Sequence, residues 1–260
     1  MDKPKILYKY EPISEYSLRN LKNASLFFNA PISFNDPFDC SLLSESLEYG
    51  DEYVVNLYNN NIDLGNIHAE SVDNIASIPY LFKSQVDNSL KGAVDEIQNR
   101  HLNGIGCTCF SETNKDILMW SHYTKGHRGF CLEFDTSCEL FEKVFKVSYS
   151  RDYPKINPVD LVLNKYSALE RSRLTHLLTK YKCWHYEKEW RAFHEEPNKL
   201  YTYPVEALKA VYFGIATKKT DIETICLILS GQCNDVKFYR GYKNKSKYEI
   251  DFFELHIHHT

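Results

Sequence analysis

The chain has 260 residues, of which 43% are apolar and 25% charged, and its formal net charge is −4. This balance is that of a folded protein with a substantial core and argues against a disordered chain. It also argues against a uniformly basic nucleic-acid-binding surface, although a local basic groove stays compatible with it.

The cysteines and the amino-terminal residues indicate the cellular compartment in which we expect the protein. The sequence contains eight cysteines, and its first residues, MDKPKILYKYEP, carry no apolar leader. No stretch approaches the length of a transmembrane helix, so we expect a cytoplasmic protein with reduced thiols and no membrane association. A CxxC pair does not occur, and we expect no metal site.

The first elements alternate between strands and helices. A strand is predicted over 5–10, followed by a helix capped by Ser14 and a second strand in SLFFNA. The segment PISFNDPFDC is dense in turn residues. Residues 41–103 are polar with a weakly helical pattern, and we interpret them as a helical insertion or lid within a single domain spanning 1–260.

The second half of the chain is richer in strands. The patterns predict helices in DILMWSHYTK, in 159–181 and in TDIETICLIL, and strands in IGCTCF, GFCLEFD, KVFKVSYS, WHYEKEWRAFH, ALKAVYFG, VKFYRGY and YEIDFFELHI. Strands and helices do not alternate strictly, and strands cluster towards the end. The predicted fold class is therefore α+β, with a mixed or antiparallel sheet, flanking helices and the helical insertion.

The first candidate site segment is FNDPFDC, Phe34 to Cys40. Asn and Asp before proline favour a tight turn, because their side chains bond to the local backbone. One interpretation is a structural turn capped by Asp36 or Asp39. The other is that Asn35, Asp36 and Asp39 supply side chains that bind a ribose or an amide.

The second candidate segment runs from Cys109 to Phe134 and concentrates polar rings around one loop and helix. Functional side chains collect where a scaffold element meets a loop, and a histidine can act as an acid or a base near neutral pH. Each ring can equally be a packed or surface residue. The candidate residues here are Ser111, Trp120, His122, Tyr123, His127 and Arg128.

The third candidate segment is KCWHYEKEWR. In a strand, Trp184 would share one face with Trp190, while Glu187, Glu189 and Arg191 would share the other. Carboxylates on one face repel each other unless they are solvated or paired with a cation. The segment is thus either a salt-bridged surface or a catalytic or ribose-binding carboxylate steadied by an arginine.

Four blocks of the chain resemble a known family. LYKY, SLFFNAPISFNDPFDC, CFSETNKDILMWSHYTKGHRGFCLEF and YKCWHYEKEWR follow one another in the order expected of the bacterial domain-of-unknown-function family 2971. The resemblance spans most of the chain. It implies no activity.

A more distant resemblance is to the ADP-ribosyltransferase superfamily, carried by LYKY, the following helix and strand, and the late acidic segment at Glu187 and Glu189. It implies attack on the nicotinamide-bearing ribose carbon of NAD. Glu189 would be the catalytic carboxylate with Glu187 second, Tyr8 and Tyr10 would be cofactor-site rings, and Arg or His would meet the diphosphate. The chain departs from that pattern at Lys9, and it lacks the central Ser-Thr-Ser motif.

The resulting hypothesis is an NAD-using transferase or glycohydrolase in anti-phage defence or a toxin-like role. His122 is included among its catalytic candidates, and Trp184 and Arg191 among its binding residues. Its partners would be a small-molecule nucleotide and a macromolecular acceptor, either protein or nucleic acid. Two alternatives stay open: a protein that binds or acts on nucleic acid or nucleotides, and a non-catalytic ligand sensor or interaction module.

Overall fold

The computed structural model describes residues 3–44, 80–156, 174–232 and 235–256. Its strands are β1 (Ile6–Glu11), β2 (Ser25–Phe28), β3 (Leu43–Ser44), β4 (Gly106–Ser111), β5 (Phe130–Asp135), β6 (Val144–Lys146), β7 (Ser148–Ser150), β8 (Lys155–Ile156), β9 (Thr179–Tyr181), β10 (Glu189–His194), β11 (Lys199–Thr202), β12 (Leu208–Phe213), β13 (Lys237–Lys243) and β14 (Ile250–Glu254). Its α-helices are α1 (Glu15–Lys22), α2 (Tyr80–Gly104), α3 (Ile117–Tyr123) and α4 (Lys219–Ser230).

Eight strands form one sheet in the spatial order β14-β13-β12-β5-β1-β4-β10-β6. Strands β12 and β13 run parallel, and the other neighbouring pairs of this sheet run antiparallel. A parallel pair needs a crossover between its strands, and α4 supplies it. The prediction of an α+β fold with a mixed sheet is confirmed.

Each face of the sheet carries its own core. On one face, Leu7 and Phe213 pack with Leu21 of α1 and with Ile225 and Leu229 of α4. On the other face, the core is smaller and more aromatic, and it is built from Tyr10, Met119, Trp120, Cys131 and Ile250. The second face therefore presents rings with polar tips beside the residues of α3.

Local sequence explains where the two helices nearest the amino-terminal strands begin. The Ser14 hydroxyl accepts from the Ser17 amide at 3.1 Å, and the Ser17 hydroxyl accepts in return from the Ser14 amide at 3.0 Å. Asp116 caps α3 by accepting from the amides of Leu118 and Met119. These caps satisfy amides that lack a partner within the helix, as the sequence predicted for α1.

Three predicted elements differ from the structure. KVFKVSYS is two strands, because β6 belongs to the large sheet while β7 pairs with β9. The predicted helix 159–181 is wrong at its end, where Thr179–Tyr181 is a strand; residues 157–173 lie outside the described residues. Of the 41–103 segment, residues 80–103 are helical, and 45–79 lie outside the described residues.

The predicted strand WHYEKEWRAFH is also wrong in its first half. Lys182–Glu187 forms a 3-10 helix, and Lys188 then adopts a left-handed conformation with φ 45° and ψ 51°. The strand begins only at Glu189. The alternation of Trp and Glu along this segment resembles a strand pattern, but the 3-10 helix and the left-handed Lys188 interrupt it before the strand starts.

Strands β1 and β4 separate soon after they meet. Within the described chain their pairing is recorded at one position, Tyr8 opposite Ser111, whereas all six residues of β1 pair with β5. The other end of β4 is bridged to Asn29, which exchanges both backbone hydrogen bonds with Cys107. A cleft therefore opens in the sheet between the two strands.

No described helix combines the length and apolarity needed to cross a bilayer.

Candidate functional site

The cleft between β1 and β4 has a volume of about 400 Å³. This size is within the range of pockets that hold small-molecule ligands. The predicted site residues that line it are Tyr8, Tyr10, Asn35, Asp39, Ser111, His122, Tyr123, Glu187 and Glu189. All three candidate segments, far apart in sequence, thus contribute to one cleft.

Two glutamates form the acidic end of the cleft. Glu187 and Glu189 are 2% and 3% exposed, and the Lys180 ammonium lies 2.6 Å and 3.0 Å from their respective carboxylates. Because both carboxylates contact the same ammonium, they lie close to each other. The sequence predicted that both carboxylates would lie on one side, and they do so through the turn at Lys188 rather than through strand alternation.

Arg191 holds this end of the cleft from behind. Its side chain is fully buried; it donates from Nε to Glu189 at 2.7 Å and from Nη2 to both oxygens of Asp39 at 2.9 and 2.7 Å. The remaining amino group donates to the Leu177 carbonyl at 2.7 Å. A planar guanidinium suits such a two-carboxylate arrangement better than an ammonium does. Arg191 therefore positions Glu189 and Asp39 and does not itself line the cleft.

The charges of the cluster do not balance. Asp39, Glu187 and Glu189 supply three carboxylates, while Lys180 and Arg191 supply two cations, all with nearly buried side chains. With every group ionised, one negative charge remains. A buried excess charge acts strongly on a ligand because water screens it little.

The two glutamates have opposite pKa shifts. Burial alone would raise the pKa of Glu189, but the charges of Arg191 and Lys180 outweigh it and hold the pKa well below the usual range. For Glu187, burial raises the pKa, and the contacts with Lys180 and Tyr123 offset this only in part. Glu189 is therefore the fixed anion, and Glu187 is the carboxylate that more readily takes up a proton.

Hydrogen bonds to the backbone fix the turn that carries both glutamates. The Ser111 hydroxyl donates to the Glu187 carbonyl at 2.6 Å, and the Glu189 amide donates to the Tyr149 hydroxyl at 2.8 Å. The Tyr123 hydroxyl donates to the Glu187 carboxylate at 2.6 Å. Ser111 and Tyr123, both predicted binding residues, thus hold the glutamates in position from the cleft wall.

The other wall of the cleft belongs to β1. Lys9 reaches across the gap and donates to the Thr108 hydroxyl at 2.9 Å and the Cys109 carbonyl at 3.3 Å. Tyr10 donates from its hydroxyl to the Thr113 carbonyl at 2.9 Å. Burial raises the pKa of Tyr8, with the neighbouring Glu133 acting in the same direction, so its ring stays neutral. This wall therefore combines the neutral rings of Tyr8 and Tyr10 with the ion pair of Lys9 and Glu11.

The remaining predicted residues lie away from the cleft lining. Trp120 is fully buried, and its indole donates to the Asn114 carbonyl at 2.6 Å. His127 stacks on Trp120, and Arg128 is exposed and donates to the Lys125 carbonyl. Asp36 accepts from the Phe38 amide at 2.9 Å, which makes it a turn residue.

Trp184 lies just behind the acidic end. The Lys180 ammonium lies 5.2 Å from its ring centroid, and the His122 ring contacts it edge-on at 6.1 Å. A tryptophan face attracts a cation, so Trp184 helps to hold Lys180. His122 is exposed at the rim.

Sequence reasoning missed the residues that complete the cluster. Lys180 contacts all three carboxylates, and Cys40 lies 3.0 Å from the Arg191 guanidinium. Cys109 lines the cleft beside them. The sequence alone does not single out these three residues. In particular, the pattern around Lys180 does not distinguish a buried lysine from an exposed one. The one indirect signal was the prediction that Glu187 and Glu189 share one face, since neighbouring carboxylates need solvent or a cation.

Metal ligation has no support in the described part of the chain, where no group of three or more histidine, cysteine, aspartate or glutamate side chains is arranged to hold an ion. The acidic end of the cleft is instead occupied by Lys180 and Arg191, which already take up the carboxylate oxygens. The cleft therefore presents aromatic walls and an excess of negative charge, which favours positively charged groups.

Comparison with known proteins gives one family. The profile of a family described as "Protein of unknown function (DUF2971)" matches residues 119–192. This range includes most of α3, with Tyr123, and the first residues of β10, with Glu189, so the matched region contains both glutamates of the acidic end of the cleft. No curated protein and no solved structure matches the chain significantly.

Proposed function

We propose that the cleft between β1 and β4 binds a nucleotide such as NAD. The protein would cleave the glycosidic bond of this nucleotide, either by transferring the ADP-ribosyl group to an acceptor or by hydrolysis. The observation that carries the proposal is Glu189, a buried carboxylate held ionised by Arg191 and Lys180 at the end of a cleft of about 400 Å³. Such a fixed anion stabilises positive charge that develops on a substrate during reaction.

The proposed reaction breaks the bond between the ribose C1′ and the nicotinamide nitrogen. The bonding electron pair goes to nicotinamide, which leaves as a neutral molecule, and the ribose becomes an oxocarbenium-like cation. A hydroxyl, an amine or water then forms a bond to C1′ and releases its proton. Because the departing ring carries the positive charge in the substrate, its departure needs no proton donor.

The residues divide this work between them. Glu189 faces the developing ribose cation and stays ionised because its pKa is held low. Glu187, whose pKa is raised by burial, takes the proton of the attacking nucleophile. Tyr8 and Tyr10 line the opposite wall and provide rings on which the nicotinamide packs.

The test is nicotinamide release from NAD, measured by chromatography on the purified full chain. Replacing Glu189 with Gln should lower turnover by at least about 100-fold, the usual effect of removing one preorganised electrostatic group. The matched control is Glu112→Gln. Glu112 is an ion-paired glutamate next to Ser111, bonded to Lys146 at 2.7 Å, but it lies outside the cleft lining.

A second variant separates chemistry from folding. Glu187→Gln keeps the Arg191–Glu189 pair and should also lose turnover, while a melting curve confirms that the variant is folded. Turnover equal to the wild type in both glutamate variants would overturn the proposal. So would the absence of any nicotinamide release by wild-type protein whose melting temperature NAD raises, because such a protein binds the nucleotide without reacting.

A further inference from the structure

A basic hairpin tip projects from the far edge of the sheet. The turn between β13 and β14 carries the sequence KNKSKY, in which Lys243, Lys245 and Lys247 are exposed. Tyr248 at its end is 97% exposed. The chain as a whole has a net charge of −4, whereas this tip carries three positive charges beside an exposed tyrosine.

The tip is held in one conformation. The Asn244 side-chain oxygen accepts from the amides of Ser246 and Lys247, both at 2.8 Å, and its amide nitrogen donates to Asp251 at 2.7 Å. The Asn244 backbone amide also donates to the Glu249 carbonyl. The lysines and the tyrosine are thus displayed from an ordered turn, which lowers the entropy lost when they bind a partner.

A second basic element lies beside the hairpin. The loop after α3 exposes Lys125 and Arg128. Within this loop, the His127 ring stacks on Trp120 with centroids 6.4 Å apart, and Phe252 of β14 contacts the same indole at 6.0 Å. One buried tryptophan therefore contacts both the loop and β14. Burial lowers the pKa of His127 and the charge of Lys243 acts in the same direction, so a lysine of the hairpin lies near the loop.

This basic surface adjoins the cleft. At Gly129, directly after the loop, an added Cβ would lie 2.2 Å from the Glu11 carbonyl oxygen, so the backbones touch there. Glu11 lines the cleft. The loop end of this basic surface therefore lies next to the strand that forms one wall of the cleft.

We propose that the hairpin tip 243–248 and the loop 125–128 form a docking surface for single-stranded nucleic acid. Three exposed lysines supply positive charge that attracts phosphates, and an exposed tyrosine offers a face on which a base stacks. An acidic peptide would satisfy the lysines but leave the tyrosine without a stacking partner. The surface does not depend on the glycosyl chemistry proposed for the cleft.

The experiment is fluorescence anisotropy with labelled oligo(dT) and oligo(U) of about 15 nucleotides, over salt concentrations of roughly 50 to 200 mM. Changing Lys243, Lys245 and Lys247 together to Gln should flatten the slope of log K against log salt by about 2, since each phosphate contact on a single strand contributes about 0.7. Tyr248→Ala should weaken binding roughly tenfold and leave the slope unchanged.

Two controls match these variants. Changing Lys143, Lys209 and Lys237 to Gln alters the net charge equally at exposed sites away from the tip, and Tyr16→Ala removes a tyrosine that is 70% exposed on α1. Both should bind as the wild type does. Glu189→Gln should also bind normally, which separates this surface from the chemistry of the cleft.

Three results would overturn the proposal. One is the absence of oligonucleotide binding at the lowest salt. Another is an equal loss of binding in the two triple-lysine variants, which would reflect net charge alone. The third is wild-type binding to phosphatidylserine vesicles or to polyglutamate that depends on the same lysines and exceeds binding to the oligonucleotides.

Discussion

Replacing Arg191 with leucine should destabilise the protein strongly, because Arg191 neutralises two buried carboxylates at once. The side chain is fully buried and contacts Glu189 at 2.7 Å and Asp39 at 2.7 Å. Leucine fills part of the space but leaves both carboxylates facing Lys180 alone. Removing one partner of a buried ion pair costs about 3–5 kcal/mol.

For a chain of this size, about 3–5 kcal/mol lowers the melting temperature by roughly 6–10 °C. Arg191→Lys should fall between the wild type and the leucine variant, since an ammonium restores the charge but not the fork that reaches both carboxylates. The control is Arg19→Leu on α1, where an exposed guanidinium lies over the Tyr16 ring, and a change of less than about 0.5 kcal/mol is expected.

The pH dependence adds a second readout. The pKa of Glu189 lies below its ordinary value of 4.5 in the folded protein. A depressed pKa gives stability that is present above the unfolded value and is lost as the pH falls through the folded one. Without Arg191 this contribution is largely absent, so the stability deficit of Arg191→Leu should shrink as the pH is lowered below 4.5.

Thermal and urea unfolding, each followed by circular dichroism above and below pH 4.5, measure both effects. The reasoning fails if Arg191→Leu melts within about 2 °C of the wild type, because a shift that small corresponds to only about 1 kcal/mol for a chain of this size. It also fails if the deficit is the same at every pH, since the ion pair would then not be its source.

Further changes test the wall of the cleft and the frame around it. Tyr123→Phe removes the 2.6 Å hydrogen bond to Glu187, so it should cost about 1.5–3 kcal/mol in urea unfolding and move the acidic limb of the activity–pH profile to higher pH. Ser14→Ala removes the α1 cap and should cost about 1 kcal/mol in the same assay. Gly129→Ala forces a Cβ to within 2.2 Å of the Glu11 carbonyl, and a melting curve should show a larger loss than Ser14→Ala gives; a neutral Gly129→Ala would show that the two backbones are not in contact.

The parts of the fold that could be predicted from the sequence are those set by local signals. The Ser14 cap and the apolar run of β5 are local signals of this kind, and the elements lie where they were expected. The segment before Glu189 could not be predicted in this way. Its alternation imitates a strand, but the side-chain hydroxyls of the distant residues Ser111 and Tyr149 form hydrogen bonds with its backbone and hold it as a turn.

The candidate site could also be predicted in part, because some of its residues are visible as local sequence signals. Glu187 and Glu189 stand out because two nearby carboxylates need a cation, and Tyr8 and Tyr10 stand out as rings on an early strand. Lys180 does not stand out, because its burial depends on β9 pairing with β7, a contact between distant segments. The splitting of β1 from β4, which makes the cleft, likewise arises from the sheet as a whole.

Hydrogen–deuterium exchange with and without NAD tests most directly whether the ligand lies between β1 and β4. We expect NAD to slow exchange in the peptides covering residues 8–12, 107–111 and 187–189, which border the cleft, and to leave β13 and β14 at the far edge of the sheet unchanged. Protection confined to other parts of the chain, or no protection at NAD concentrations that stabilise the protein, would contradict a nucleotide site in this cleft.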